Sequence, residues 1–157
     1  MRELASLSVD AASRRSTKGA RGLFPGRSLG LRVSGTRDLI REIERGFSFR
    51  ALKSFAAATG LAVSRIASIL EIPERTLARR RTAGRLAPEE SERLLRISRV
   101  FEKAVNLFEG DATAAVSWLT TPRRSLGDEV PLAYSRTELG AREVENLIGR
   151  LEHGVFS

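Results

Sequence analysis

From Thr36 onward the apolar residues recur at alternating threes and fours, and glycine or proline interrupts the pattern at short intervals. A chain patterned in this way folds as a set of short amphipathic helices, so the expected class is all-α. No segment alternates with the period of a strand, and no internal repeat is present. "TRDLIREIERG" sets Leu39, Ile40 and Ile43 about one turn apart and closes on Gly46, a C-cap residue. "SFRALKSFAAATG" opens on Ser48 as N-cap, turns Leu52, Phe55 and Ala56 inward, and closes on Gly60.

The next stretch, "LAVSRIASILEIPERTLARRRTAGRL", has the rhythm of a helix-turn-helix. Ile66, Ile69 and Leu70 share one face, the pattern pauses at Glu71 and Ile72, and Pro73 restarts a helix at a first-turn position where its missing N–H costs nothing. Leu77 then points back toward the first helix. The second helix carries Arg75, Thr76, Arg79, Arg80 and Arg81, with Arg85 just beyond. Arginine pairs bidentately with guanine in a major groove or binds phosphate, so these six residues are the expected DNA-binding set. The alternative is a solvated basic face. Glu71 departs from many such motifs, which place glycine in the turn.

Beyond Gly84, Pro88, Glu89 and Glu90 mark a helix start at which carboxylates suit the dipole. Leu94, Ile97, Phe101, Ala104, Val105 and Phe108 then form a long stripe, read as core or dimer seam. A short Ala-rich helix follows Gly110 and ends in Trp118 and Leu119, and a loop is marked by Pro122, Gly127 and Pro131. The Trp is expected to anchor this loop to the long helix. The last helix starts at Thr137 as N-cap and carries Val144, Leu147, Ile148 and Leu151 inward.

Composition narrows the functions available. The chain of 157 residues has a net charge of +8, which favours an acidic partner such as nucleic acid. Residues 1–35 hold seven Arg/Lys against two Asp/Glu. Rich in Ser, Gly and Arg and without a sustained period, they are expected to form a disordered basic arm. A transit peptide has similar composition, although Gly and Pro interrupt any long amphipathic helix here; a start codon unused in the cell is a third reading. With no cysteine and one histidine, His153, the chain lacks thiol nucleophiles, disulfides and multi-histidine metal sites. It has no Walker glycine loop and no G-x-S-x-G, and Glu138, Glu143 and Glu145 read as capping and solubility devices. No enzyme activity, cofactor, metal or membrane span is expected, and the location is expected to be cytoplasmic.

Five markers occur in order: "RTLARRR", "LAPEESERL", "WLTTP", "PL" ahead of the last helix, and "GAREVENLIGRLEHGV". Together they resemble the Xre/MbcA/ParS-type antitoxins, partners of RES-domain toxins, over about residues 36–157. The resemblance implies a helix-turn-helix domain over residues 36–86 that binds the promoter of its own operon. It implies a toxin-binding domain over 87–157, preceded by the arm of 1–35. RES toxins of such pairs degrade NAD, and the antitoxin blocks them by packing its C-terminal region at the active-site opening. The residues implied for toxin binding are Arg150, Glu152, His153, Gly154, Val155, Phe156 and Ser157. The sequence departs from the family pattern at Glu71 and at "GDE" (127–129), where a second glycine often follows the first, and it carries Phe156 where an aromatic is common.

On this reading the tail is a plug, with apolar side chains for a pocket and a carboxylate for basic groups that hold cofactor phosphate. The competing expectation has Val155 and Phe156 folding back on Trp118 as core. The expected assembly is a homodimer on double-stranded promoter DNA within a larger complex with the toxin. Two rival readings are a helix-turn-helix regulator with no toxin and an adaptor whose basic arm binds acidic protein.

Overall fold

The computed structural model describes residues 25–154. Most of the expected basic arm, residues 1–24, and the tail residues Val155, Phe156 and Ser157 lie outside them. Among the described residues eight α-helices follow one another: α1 (Thr36–Arg45), α2 (Phe49–Thr59), α3 (Val63–Ile69), α4 (Glu74–Ala83), α5 (Pro88–Leu107), α6 (Ala112–Leu119), α7 (Pro131–Tyr134) and α8 (Glu138–Glu152). Among the described residues there is no strand, only two isolated bridges, Ser48 with Arg85 and Arg123 with Glu129.

The helix ends follow the residues that predict them. The Ser48 hydroxyl accepts from the Arg50 N–H, Asp111 caps the Ala114 N–H, and Thr137 caps the Gly140 N–H. Pro73 stands one position earlier than expected, as the N-cap of α4. Proline at the start of α5 stands beside a second device, the Glu90 carboxylate, which accepts from the Ala87 N–H at 2.8 Å.

Helix α5 organises the molecule. Its 20 residues span about 30 Å at the α-helical rise, and it packs against α1 on one side and against α6, α7 and α8 on the other. Leu94, Ile97, Val100, Phe101 and Ala104 of α5 are buried in one cluster that also takes Leu52 and Phe55 from α2, Leu119 from α6 and Val144 and Ile148 from α8. The Phe55 and Phe101 rings meet edge to face, 5.6 Å between centroids. One core therefore serves both halves of the chain.

Two expectations need correction. Residues 25–35 were assigned to the disordered arm, but the structure folds them onto α2 and α5. Arg27–Leu29 form a 3₁₀ turn with Leu29 buried, while Leu31 and Val33 pack against the core. The Glu102 carboxylate accepts from the N–H groups of Gly26 and Ser28 and from the Ser28 hydroxyl. Alternating Leu29, Leu31 and Val33 carry enough apolar surface to dock, and Gly30 and Arg32 between them hide that pattern. Secondly, the loop expected between Leu119 and Thr137 contains a 3₁₀ turn at Arg124–Leu126 and the one-turn helix α7, whose Pro131 and Leu132 are buried. Four-residue helices are too short to show a period.

Close backbone approach fixes two glycines. A Cβ on Gly46, at φ +81°, would meet the Leu86 carbonyl oxygen, and one on Gly140 would meet the Tyr134 carbonyl oxygen, each at 2.0 Å or less.

Candidate functional site

Helices α3 and α4 are joined by a turn whose apolar residues face the core. Leu70 and Ile72 are buried, the Leu70 N–H donates to the Ile66 carbonyl, and the Ile72 N–H donates to the Ala67 carbonyl at 2.8 Å. Between them Glu71 takes φ +59°, the left-handed conformation for which many such turns use glycine. Its side chain pairs with Arg136, Oε1 to Nε 3.1 Å, on the segment that enters α8. Leu77 is buried and fixes the rotation of α4 about its own axis. The opposite face of α4 is turned outward.

The six arginine and threonine positions expected to bind DNA fall into distinct roles. Arg75 and Arg79 are exposed, one turn apart, and Thr76 is half-buried beside them. Arg80 is half-buried and forked onto Glu90, with Nε 2.8 Å from Oε1 and Nη2 3.3 Å from Oε2. Burial raises the Glu90 pKa, but the hydrogen bonds from Arg80 and the Ala87 N–H, with the charges of Arg80 and Arg93, outweigh it and hold the carboxyl below its ordinary range. Arg81 is exposed, its guanidinium 5.5 Å from the Phe49 ring centroid. Arg85 lies beyond the helix and donates through Nη1 to the Gly46 carbonyl at 2.6 Å. Sequence spacing gave no warning that Arg80 is a structural fastener, because its partner lies ten residues away on the next helix.

Charge is divided along the chain. Residues 36–86 hold eleven Arg/Lys against five Asp/Glu, whereas residues 87–157 hold nine against twelve. Pairing follows the same division. On α5 and α8, Arg96 and Arg99 pair with Glu138, and Arg99 and Lys103 pair with Glu145 at 2.5 and 2.7 Å. Glu145 is pushed up by burial, but the bonds from Lys103 and Arg99 and their charges leave it below the ordinary carboxylate range. Arg75, Arg79 and Arg81 have no carboxylate within ion-pair distance among the described residues.

The C-terminal helix runs outward from this paired seam. Val144, Leu147 and Ile148 are buried, while Arg150, Glu152, His153 and Gly154 are exposed at its end. Gly154 turns left-handed at φ +68°. Near the start of α8, Leu139 is 77% exposed, and the neighbouring Tyr134 hydroxyl donates to Glu143 at 2.8 Å. Trp118 is half-buried against the core, with Arg123 stacked 5.0 Å from its ring; it thus anchors the loop that follows it, through Arg123, which also donates to the Trp118 carbonyl.

Comparison with known proteins finds two family domains in the chain, which meet within α5. Residues 38–99 match the antitoxin Xre-like helix-turn-helix domain, and residues 103–154 match the antitoxin Xre/MbcA/ParS C-terminal toxin-binding domain. An antitoxin Xre of Yersinia enterocolitica is 46% identical over 132 residues, covering 83% of this chain and 89% of the relative. The chain belongs to the Xre antitoxin family. A second antitoxin Xre, from Photorhabdus laumondii, is 46% identical over 74 residues, 47% of this chain and 50% of that protein. The antitoxin of a toxin-antitoxin pair thus carries its helix-turn-helix on α3 and α4 and its toxin-binding domain from the last turns of α5 to the end of α8. Helix α5 is shared by both. Among the described residues no helix is long and apolar enough to cross a membrane.

Proposed function

We propose that this antitoxin neutralises a RES-domain toxin that degrades NAD, by placing its C-terminal residues over the toxin's active site, and that it represses its own operon through α4. The observation that carries the neutralising half is the end of α8. A helix held to α5 by three basic and two acidic side chains ends in exposed Arg150, Glu152, His153 and Gly154, the residues that lead into Val155, Phe156 and Ser157. The DNA half is supported by the exposed Arg75 and Arg79 on the outward face of α4, unpaired among the described residues, with Thr76 between them; Arg81 and Arg85 flank this face and suit phosphate. Arg80 contributes through the Glu90 pair, by holding α4 at its angle to α5. A homodimer matched to a palindromic promoter, in the cytoplasm, fits this reading.

Co-expression with the neighbouring reading frame tests it, scoring growth and cellular NAD. Full-length antitoxin is expected to protect both, and a chain lacking residues 153–157 is expected to fold and fail to protect. Protection by the truncated chain refutes occlusion by the tail. A harmless neighbour favours a regulator without a toxin.

A further inference from the structure

Helix α2 begins beside the end of α4. The Phe49 N–H donates to the Gly84 carbonyl at 2.9 Å, the Leu86 N–H donates to the Phe47 carbonyl at 2.8 Å, and Ser48 and Arg85 form an antiparallel bridge. This clamp brings basic side chains of α2 next to those of α4. The buried Phe49 ring is flanked by Arg81, at 5.5 Å from its centroid, and by Lys53, whose Nζ is 5.9 Å away. The two cationic centres are therefore no more than about 11 Å apart, close enough for like charges to repel. Arg50 is exposed in the same first turn of α2. Among the described residues none of the three has a carboxylate within ion-pair distance. Their neighbour Arg80 does, in the same helix as Arg81.

We propose that Arg50 and Lys53, together with Arg81, form a second DNA contact, which grips the phosphodiester backbone beside the groove that α4 enters. The inference rests on the proposed DNA reading of α4 and extends it to a helix outside the helix-turn-helix pair. Continuity supports it, since Arg81 belongs to α4 and shares the Phe49 ring with Lys53. The chemistry of the contact follows from what is already satisfied. The N–H groups of Phe49, Arg50 and Ala51 donate to the Gly84 carbonyl, the Ser48 hydroxyl and the Ser48 carbonyl. The first turn of α2 has spent these backbone donors, so phosphate is held by side-chain cations alone. Such a contact adds affinity without reading sequence, and it is removable one charge at a time.

The test uses the full chain and a labelled duplex spanning the region upstream of its own reading frame, titrated at several salt concentrations. Removing one phosphate contact lowers the slope of log K against log salt by about 0.9. Between 50 and 200 mM salt, wild type should lose about 3.5-fold more affinity than Arg50→Ala or Lys53→Ala, and about 12-fold more than the double variant. Preference for the upstream duplex over a shuffled one should be unchanged, and thermal melting should confirm that these exposed substitutions leave the fold intact. A double variant with the wild-type slope overturns the second contact; if Arg75→Ala/Arg79→Ala still abolishes sequence preference, the α4 reading survives it. Wild type that fails to bind the duplex even at low salt overturns both.

Discussion

Replacing Glu71 by glycine should stabilise the antitoxin, although it deletes an ion pair. Glu71 sits at φ +59° in the turn between α3 and α4, where a side chain costs about 1–2 kcal/mol relative to the right-handed region. Glycine avoids that cost but gives back about 0.5–1 kcal/mol through the greater freedom of the unfolded chain. The lost pair is an exposed one, with the Glu71 side chain 64% and the Arg136 side chain 39% accessible; such pairs contribute about 0.2–1 kcal/mol, and one this exposed falls toward the lower end. Glu71→Ala separates the two effects, since it loses the pair and keeps the strained backbone. The expected order is Gly above wild type and Ala below it, with Gly and Ala about 1 kcal/mol apart. For a chain of this size that is about 3–4 °C in Tm. The measurement is thermal or urea unfolding of the three proteins side by side. If Glu71→Gly and Glu71→Ala unfold together, the strain of the left-handed turn does not exceed the cost of glycine's extra freedom in the unfolded chain, and the reasoning fails.

Asp128→Gly should behave in the same direction with a smaller gain, because Asp128 also takes positive φ, +65°, and aspartate tolerates that region better than glutamate; chemical denaturation of the single variant checks it. Gly140→Ala should destabilise by about 3 kcal/mol or more, since its Cβ would overlap the Tyr134 carbonyl at the corner between α7 and α8, and its melting curve should show the loss. Glu90 and Glu145 are both held below their ordinary pKa of 4.5 in the folded state. Their contribution to stability is therefore present above about pH 4.5 and disappears as pH falls through the lower folded values. Unfolding measured from pH 6 downward should lose stability in that window, and Glu90→Gln or Glu145→Gln should flatten the decline while lowering the plateau. Glu90→Gln should also weaken promoter binding, by releasing Arg80 and with it the angle of α4.

The helices that bury long apolar faces are legible in the sequence. Leu94, Ile97, Phe101 and Ala104 lie inside as their spacing requires, and Leu77 points inward and leaves Arg75 and Arg79 outside. What could not be read depended on contacts between segments distant in sequence. Arg80 looks like its neighbours until Glu90 is placed beside it, and nothing local to "RSLGLRVSG" says that Glu102 will hold its backbone. Ile40 matches the inward period of α1 yet is 48% exposed, because the core meets that helix along a narrower strip than the three-and-four pattern suggests. The departures at Glu71 and Asp128 were visible as residue types; only their dihedral angles showed that both occupy backbone that favours glycine.

Because α5 runs without a break from the Arg80–Glu90 fastening to the seam with α8, no hinge separates the two domains within it. The toxin, wherever it docks on the C-terminal half, is then fixed in azimuth about that helix. Each residue of an α-helix advances the azimuth by about 100°. A single residue inserted into the middle of α5, besides displacing the buried Ile97, Val100 and Phe101, would swing the toxin about a quarter-turn around the helix axis relative to α4. Deletions and insertions between the two domains should therefore be tolerated in register with the helical repeat, if at all, and repression by the complex should be more sensitive to that phase than to length.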